Sequence, residues 1–339
     1  MQFSKGKNDN VCLNKCACKN SWMAQLILPI TGMLFLIGLI STNLLTATAA
    51  TDANQAEPNS IIAEGAQVKL VSNKFNFTEG PAVDKDGNIY FTDQPNDKIY
   101  KWSAEDGAIT VFLDKAGRAN GMFFDKDGNL YACADDKNEL WKIDKEGNVT
   151  VLVKDFEGKL LNGPNDLWIS PITGAIYFTD PFFYRNYWTR SRRTEQPGGE
   201  QVYYLSPDRK TLKQLTTDFR RPNGIVGTAD GKTLFVADYG ASQTYKYTIG
   251  EDGMLKDKTP FCSMGSDGMT IDNQGNVYLT GAGGVTVFNS KGERIQQIRV
   301  GNGRGSMTNV TFGGKDRKTL FITGGNSVYT LQMNVKGVQ

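Results

Sequence analysis

Along most of the chain, apolar and polar positions alternate with a period of two, in runs of about five residues broken by Gly, Asp and Asn. That period belongs to a strand with one buried face, since a helix would repeat every 3.6 residues. Six stretches share one layout: an apolar strand, a turn, and a second strand closing on Asp or Gly. They span residues 81–93, 122–135, 167–180, 225–238, 269–281 and 310–324. Their turn markers, Gly87, Gly128, Gly174, Gly231, Gly275 and Arg317, recur at spacings of 41, 46, 57, 44 and 42 residues. A third alternating strand follows each hairpin, at 98–102, 139–143, 201–205, 243–247, 284–288 and 327–331. Most units add a fourth, as at 109–113, 149–153 and 294–300. Four strands per period of this length make one blade, so the sequence predicts an all-β, six-bladed β-propeller with four-stranded antiparallel blades around a central channel. Residues 67–77 read as an extra strand that completes the last blade and closes the ring.

The amino-terminal fifty residues break the pattern. Residues 1–22 are polar and carry Lys5, Lys7, Lys15 and Lys19, and an apolar run follows over 23–45. It ends in Thr46-Ala47-Thr48-Ala49-Ala50, small residues suited to a signal peptidase. The sequence therefore divides into an export signal at 1–50 (or an uncleaved anchor through 23–45), a flexible leader at 51–66 and the propeller at 67–339. Either form of the signal places the body outside the cytoplasm, in the periplasm or secreted, with membrane contact only through 23–45.

Composition narrows the chemistry. Lys and Arg number 38 against 36 Asp and Glu, a formal charge of +2 that gives no electrostatic case for nucleic acid. The chain has no histidine, which excludes Ser-His-Asp and Cys-His systems and His-ligated zinc. Catalysis has to rest on carboxylates, amides, Lys, Arg or Tyr, or on a hard cation held by oxygen. In the propeller only Cys133 and Cys262 remain, both in strand-like runs and read as small buried hydrophobes.

One residue just ahead of each inner strand carries a side-chain oxygen. Counting back eight or nine positions from the turn marker gives Glu79, Asn120, Asn165, Asn223 and Asp267, with Thr308 or Asn309 in the sixth copy. Inner strands line the channel, so these side chains converge on one mouth. Carboxylates and amides without thiol or imidazole suit Ca²⁺, which takes six to eight oxygens; Zn²⁺, Mn²⁺ and Mg²⁺ are the other candidates. The plainer reading makes them turn residues bonded to their own backbone.

The motifs Glu79-Gly80-Pro81, Asn165-Asp166-Leu167, Arg221-Pro222-Asn223-Gly224 and Asp267-Gly268-Met269 resemble those of the gluconolactonase/regucalcin family of six-bladed propellers, a superfamily shared with diisopropyl fluorophosphatase and the staphylococcal drug-responsive lactonase. The likeness runs from about residue 75 to 335. It implies a lactonase with a catalytic divalent cation, usually Ca²⁺, held by Glu79, Asn165, Asn223 and Asp267. It also implies Asp267 as general base with Glu79 in reserve, and Asn120 and Asp166 beside the ion. Two positions depart from the family. Its substrate-contacting arginine is replaced by Gly163, for which Arg118 and Arg221 are the candidate substitutes. Where bacterial gluconolactonases commonly carry a histidine, this chain reads Ala134-Asp135-Asp136.

The longest period holds an insertion at 181–200, rich in aromatics (Phe182, Phe183, Tyr184, Tyr187, Trp188) and followed by Arg190, Arg192 and Arg193. It reads as a lid over the mouth with Tyr184 on the substrate, or as a loop packed on a blade flank. Asp93, Asp135, Asp180 and Asp238 end second strands and read as structural turn residues. The expected activity is opening of a lactone ring, that of a sugar lactone such as gluconolactone, by a monomer or homodimer. A phosphotriester or aryl ester hydrolase with the same site, and a non-catalytic ligand-binding propeller, are the alternatives.

Overall fold

The computed structural model describes residues 60–188, 195–303 and 305–339. Its strands form six four-stranded antiparallel sheets. Blade one contains Thr78–Val83, Ile89–Asp93, Lys98–Trp102 and Ile109–Asp114; blade two contains Ala119–Phe124, Leu130–Ala134, Glu139–Ile143 and Val149–Val153. Blade three contains Leu167–Ile169, Ile176–Asp180, Gln201–Leu205 and Leu212–Gln214, and blade four Pro222–Gly227, Thr233–Asp238, Gln243–Ile249 and Leu255–Cys262. Blade five contains Met269–Ile271, Val277–Gly281, Gly284–Phe288 and Arg294–Arg299. Blade six contains Asn309–Gly313, Thr319–Gly324 and Ser327–Gln332, with Lys69–Ser72 as its outermost strand, paired with Ser327–Gln332. The extra strand ahead of the first hairpin thus closes the ring.

Local chemistry explains the hairpins. In the turns at Asp84, Asp125, Asp144 and Asp272, the Asp Oδ1 accepts backbone N–H groups two and four residues on, while the Asn four residues later donates its side-chain amide back to the same Asp. Asp-x-x-Gly-Asn is therefore a self-satisfied turn that reverses the chain without help from its surroundings. The strands of the blades bury large aromatic side chains such as Phe91, Tyr177, Phe178, Tyr203 and Phe321. Full burial of each contributes about 1.5–3 kcal/mol, which makes the blade faces the main source of stability. Cys133 and Cys262 are free and buried in separate clusters.

The described end of the segment read as a leader is packed. Ile61 and Ile62 are buried in the blade-six cluster, Ile62 bridges to Met333, and Ala63 N–H donates to the Gln332 carbonyl. Two adjacent apolar residues meet an open sheet end there, so residues 61–63 belong to the propeller. The expectations for residues 1–59, the export segment included, lie outside the described residues.

Candidate active site at the channel mouth

Each inner strand begins at the same end of the channel, and that end gathers the oxygen-bearing residues. In blades one, two and four the strand is bulged at the dipeptide concerned, with register breaks between Glu79 and Ala82, Ala119 and Met122, and Pro222 and Ile225. A bulge turns a side chain off the sheet's alternation, here toward the axis. Glycine follows Glu79, Asn120, Asn223 and Asp267 because the blades meet backbone to backbone. A Cβ on Gly80 would lie 2.0 Å from the Asn120 carbonyl oxygen, and at Gly268 it is the Asn309 side chain that leaves no room, its Cγ 2.0 Å from where a Cβ would be. In blades three and six the corresponding places hold Asp166 and Asn309 instead. These two bond to each other, Asn309 Nδ2 donating to Asp166 Oδ2 at 3.3 Å and also to Glu79 Oε2 at 3.2 Å. They form the floor of the site.

Glu79, Asn120, Asn165, Asp166 and Asn223 are buried at this mouth, and Asp267 is half-buried. Asn223 Nδ2 donates to Asp267 Oδ1 at 2.7 Å, while Asn223 Oδ1 and Asn120 Oδ1 are buried with no hydrogen-bond partner. Three acids share the space. Burial, followed by the Asp267 charge, pushes Glu79 well above the usual carboxylate range. Burial raises Asp166 to about 8 and Asp267 to about 6, the latter held down by the Asn223 amide and the positive charge of Arg185.

Among the described residues, no three acidic or thiol side chains come together as a ready-made ligand cage. A cation here would depend on amide oxygens as well as carboxylates. The residues fit one: orphaned amide oxygens beside mutually repelling acids are donors with no acceptor of their charge inside the protein. An all-oxygen set favours a hard divalent ion.

Second strands hold this mouth in shape by two devices. Thr92 donates to the Asn120 carbonyl, Thr179 to that of Asn223 and Thr280 to that of Thr308, each stitching its blade to the next at a site residue. Asp93, Asp180 and Asp238 each accept the backbone N–H groups three and two residues before Glu79, Asn165 and Asn223: Asn76 and Phe77, Asn162 and Gly163, Arg220 and Arg221. The sequence reading took these aspartates as turn residues. They are clamps on the loops that deliver three of the four proposed ligands. The threonines went unread because Thr in a strand is ordinary β chemistry.

Asp135 does something else. Its Oδ2 accepts from Gln94 Nε2 at 3.2 Å, Arg185 Nε at 3.3 Å and Tyr187 Oη at 2.5 Å, and its backbone carbonyl from Trp188 Nε1 at 2.8 Å. The described part of the insertion, between the second and third strands of blade three, is therefore anchored on blade two at this mouth and reaches blade four through Phe183, which lies against Tyr239 and under Arg221. Tyr184 is half-buried, its ring 5.9 Å from that of Trp188. Neither arginine suggested as a substitute is uncommitted. Arg118 donates to the Pro95 carbonyl and stacks on Tyr187, and Arg221 pairs with Glu200 at 3.3 Å and stacks on Phe183. Arg185, which the sequence reading passed over, stands nearer the acids. Arg190, Arg192 and Arg193 lie outside the described residues.

A cavity of about 1030 Å³ lies at the opposite mouth, lined by hairpin turns including Asp125–Asn129 and Ser170–Gly174. Asp84, Asp125 and Asp144 there are spent on their own turns. The chemistry lies at the other end.

A six-bladed ring that collects carboxylates and amides at one end of its channel defines the class: a propeller with a single oxygen-donor centre under a loop. The chain belongs to the SMP-30/gluconolactonase/LRE-like family, whose sequence profile matches residues 77–326. A gluconolactonase of Zymomonas mobilis is 28% identical over 307 residues, covering 82% of this chain and 85% of that protein. A drp35 lactonase of Staphylococcus saprophyticus is 32% identical over 187 residues, 49% of this chain and 54% of that one. Among solved structures, a gluconolactonase of Xanthomonas campestris superposes with a TM-score of 0.74 at 29% identity, covering 80% of this chain and 91% of its own. A calcium-binding regucalcin of Agrobacterium tumefaciens shares the fold, with a TM-score of 0.66 at 19% identity over 79% of this chain and 94% of that one.

Proposed function

We propose that this chain is a lactonase that opens sugar lactones at the clamped mouth, with a divalent cation, Ca²⁺ first, held by Glu79, Asn165, Asn223 and Asp267. The observation that carries the proposal is the pair of buried, unpartnered amide oxygens on Asn120 and Asn223 beside three crowded acids. A bound divalent ion would supply Lewis acidity toward the lactone carbonyl, where negative charge develops as the ring opens. The chain's own residues handle the proton. Asp267 Oδ1 is fixed by Asn223 Nδ2, which leaves Oδ2 to take a proton from the attacking water. Burial raises the proton affinity of Asp267 above that of an ordinary carboxylate, which favours it as the acceptor. Asn120 and Asp166 flank the ring, and the aromatic loop above limits water. The apolar run at 23–45 supports a companion proposal, that the enzyme works outside the cytoplasm.

The test is hydrolysis of δ-gluconolactone followed by proton release, as purified, after chelation, and after return of Ca²⁺, Zn²⁺, Mn²⁺ or Mg²⁺. Turnover should vanish and return with metal, and Asp267→Asn should lower kcat by about 10²–10⁴-fold. No turnover on any lactone by metal-loaded protein would overturn the reading, and full activity in Asp267→Asn would remove Asp267 as the base.

A further inference from the structure

Arg185 is held by one end only. Its Nε donates to Asp135 Oδ2 at 3.3 Å, and its two terminal nitrogens donate to no described residue. The same Asp135 Oδ2 also accepts from Gln94 and Tyr187, which fixes the anchor from several sides. The side chain is 25% exposed while Asp135 is 5% exposed, so the anchor is inside and the open fork outside. Phe183 lies under both Arg185 and Arg221, which sets the guanidinium on the span between blades two and four, across the mouth. At Gly163 an arginine has no room: even a Cβ would lie 2.8 Å from Asp135 Oδ1 and 3.2 Å from the Trp188 ring.

A guanidinium fixed through Nε presents two parallel N–H donors, the geometry that receives a carboxylate end-on. A neutral hydroxyl needs no such group in a mouth already supplied with amides and acids that both donate and accept. We propose that Arg185 is a specificity-determining residue that receives a free carboxylate on the substrate, so that the preferred substrates are lactones of sugar acids bearing a second, ionised carboxyl group away from the ring carbonyl. This rests on the lactonase reading and names its substrate class.

The experiment compares kcat/KM for δ-gluconolactone, which is neutral, with that for glucaro-1,4-lactone, which carries the carboxylate, using the full metal-loaded chain. Wild type should favour the charged lactone by about tenfold or more, and Arg185→Gln should move the ratio of the two constants toward the neutral one by about 30-fold, chiefly through KM. Arg185→Lys should restore part of the ratio, since the charge returns without the fork. In wild type, raising NaCl to about 0.5 M should shrink the preference, a readout that needs no variant. An unmoved ratio in Arg185→Gln, or a salt-insensitive one in wild type, overturns the proposal. Turnover of gluconolactone without turnover of the charged lactone overturns it while leaving the lactonase reading standing, and turnover of neither overturns both.

Discussion

Blades one, three and four end their second strand in an aspartate that ties down its own blade's loop, whereas blade two ends in an aspartate that holds another blade's insertion. The difference is one residue of register. Asp93 pairs with Thr78, directly before Glu79, but in blade two the matching pair is Ala119 with Ala134, and Asp135 comes one step later. A one-residue step in a strand moves a side chain to the other face. Arg118 N–H, which a blade-two clamp would have served, is bonded by Asp97 Oδ1 from blade one instead. The same residue type thus fixes its own blade's loop in blades one, three and four and moors blade three's insertion in blade two.

The largest effect should come from cutting a true clamp. Asp180→Ala leaves the buried N–H groups of Asn162 and Gly163 without an acceptor, which should lower unfolding free energy by about 3 kcal/mol in urea titrations. It should also cut turnover by about 10²-fold through displacement of Asn165. If Asp135→Ala costs as much stability as Asp180→Ala, the distinction between clamp and mooring is wrong.

A second contrast sets the clamped acids, which are supplied with donors, against the channel acids, which face one another. Raised pKa values in the folded state mean that protonation favours the fold. The stability associated with Asp267 and Asp166 is therefore present below about pH 4 and lost as pH rises through about 6 and then about 8. Chelated protein should melt about 5 °C lower at pH 8.5 than at pH 5, and added Ca²⁺ should flatten that slope in a thermal-shift series. A slope that metal does not change would separate the ion from these acids.

Asp135→Asn comes next. It removes charge from the buried mooring but keeps an oxygen, so stability should fall by about 2 kcal/mol while KM for lactone rises about tenfold as the loop loosens. Smallest is Gly163→Ala, whose new methyl presses on Asp135 and Trp188. It should cost about 1 kcal/mol and alter tryptophan fluorescence, with clamp geometry intact.

Much of this architecture is readable from residues. Period-two alternation gives the third strands their observed limits at Lys98–Trp102, Glu139–Ile143, Gln201–Leu205 and Gly284–Phe288, because those strands are bounded by self-contained turns. The oxygen-bearing positions are legible too, since glycine follows most of them for a reason of close packing. The sixth copy is ambiguous by one residue because both neighbours face inward: Thr308 bonds Thr78 and Thr323, and Asn309 reaches the floor. What stays hidden is whatever depends on partners far along the chain. Nothing local distinguishes Asp135 from Asp238, or shows that Arg185 faces the acids while Tyr184 leans on Trp188.

The closing strand has a consequence for assembly. Thr78 donates to the Ser327 carbonyl across 249 residues of chain, and Asn309 reaches Glu79 across 230. The seam where the ring is fastened thus runs through the candidate site at the mouth. A chain still emerging from the ribosome has Glu79 long before it has Asn309, so the centre appears only when the last blade docks, a late and non-local event. An ion taken up there would rivet the seam and draw the folding equilibrium toward the closed ring in proportion to its concentration. A circular permutant opened between blades three and four would move the fastening away from Glu79 and Asn309, uncoupling ring closure from completion of the floor.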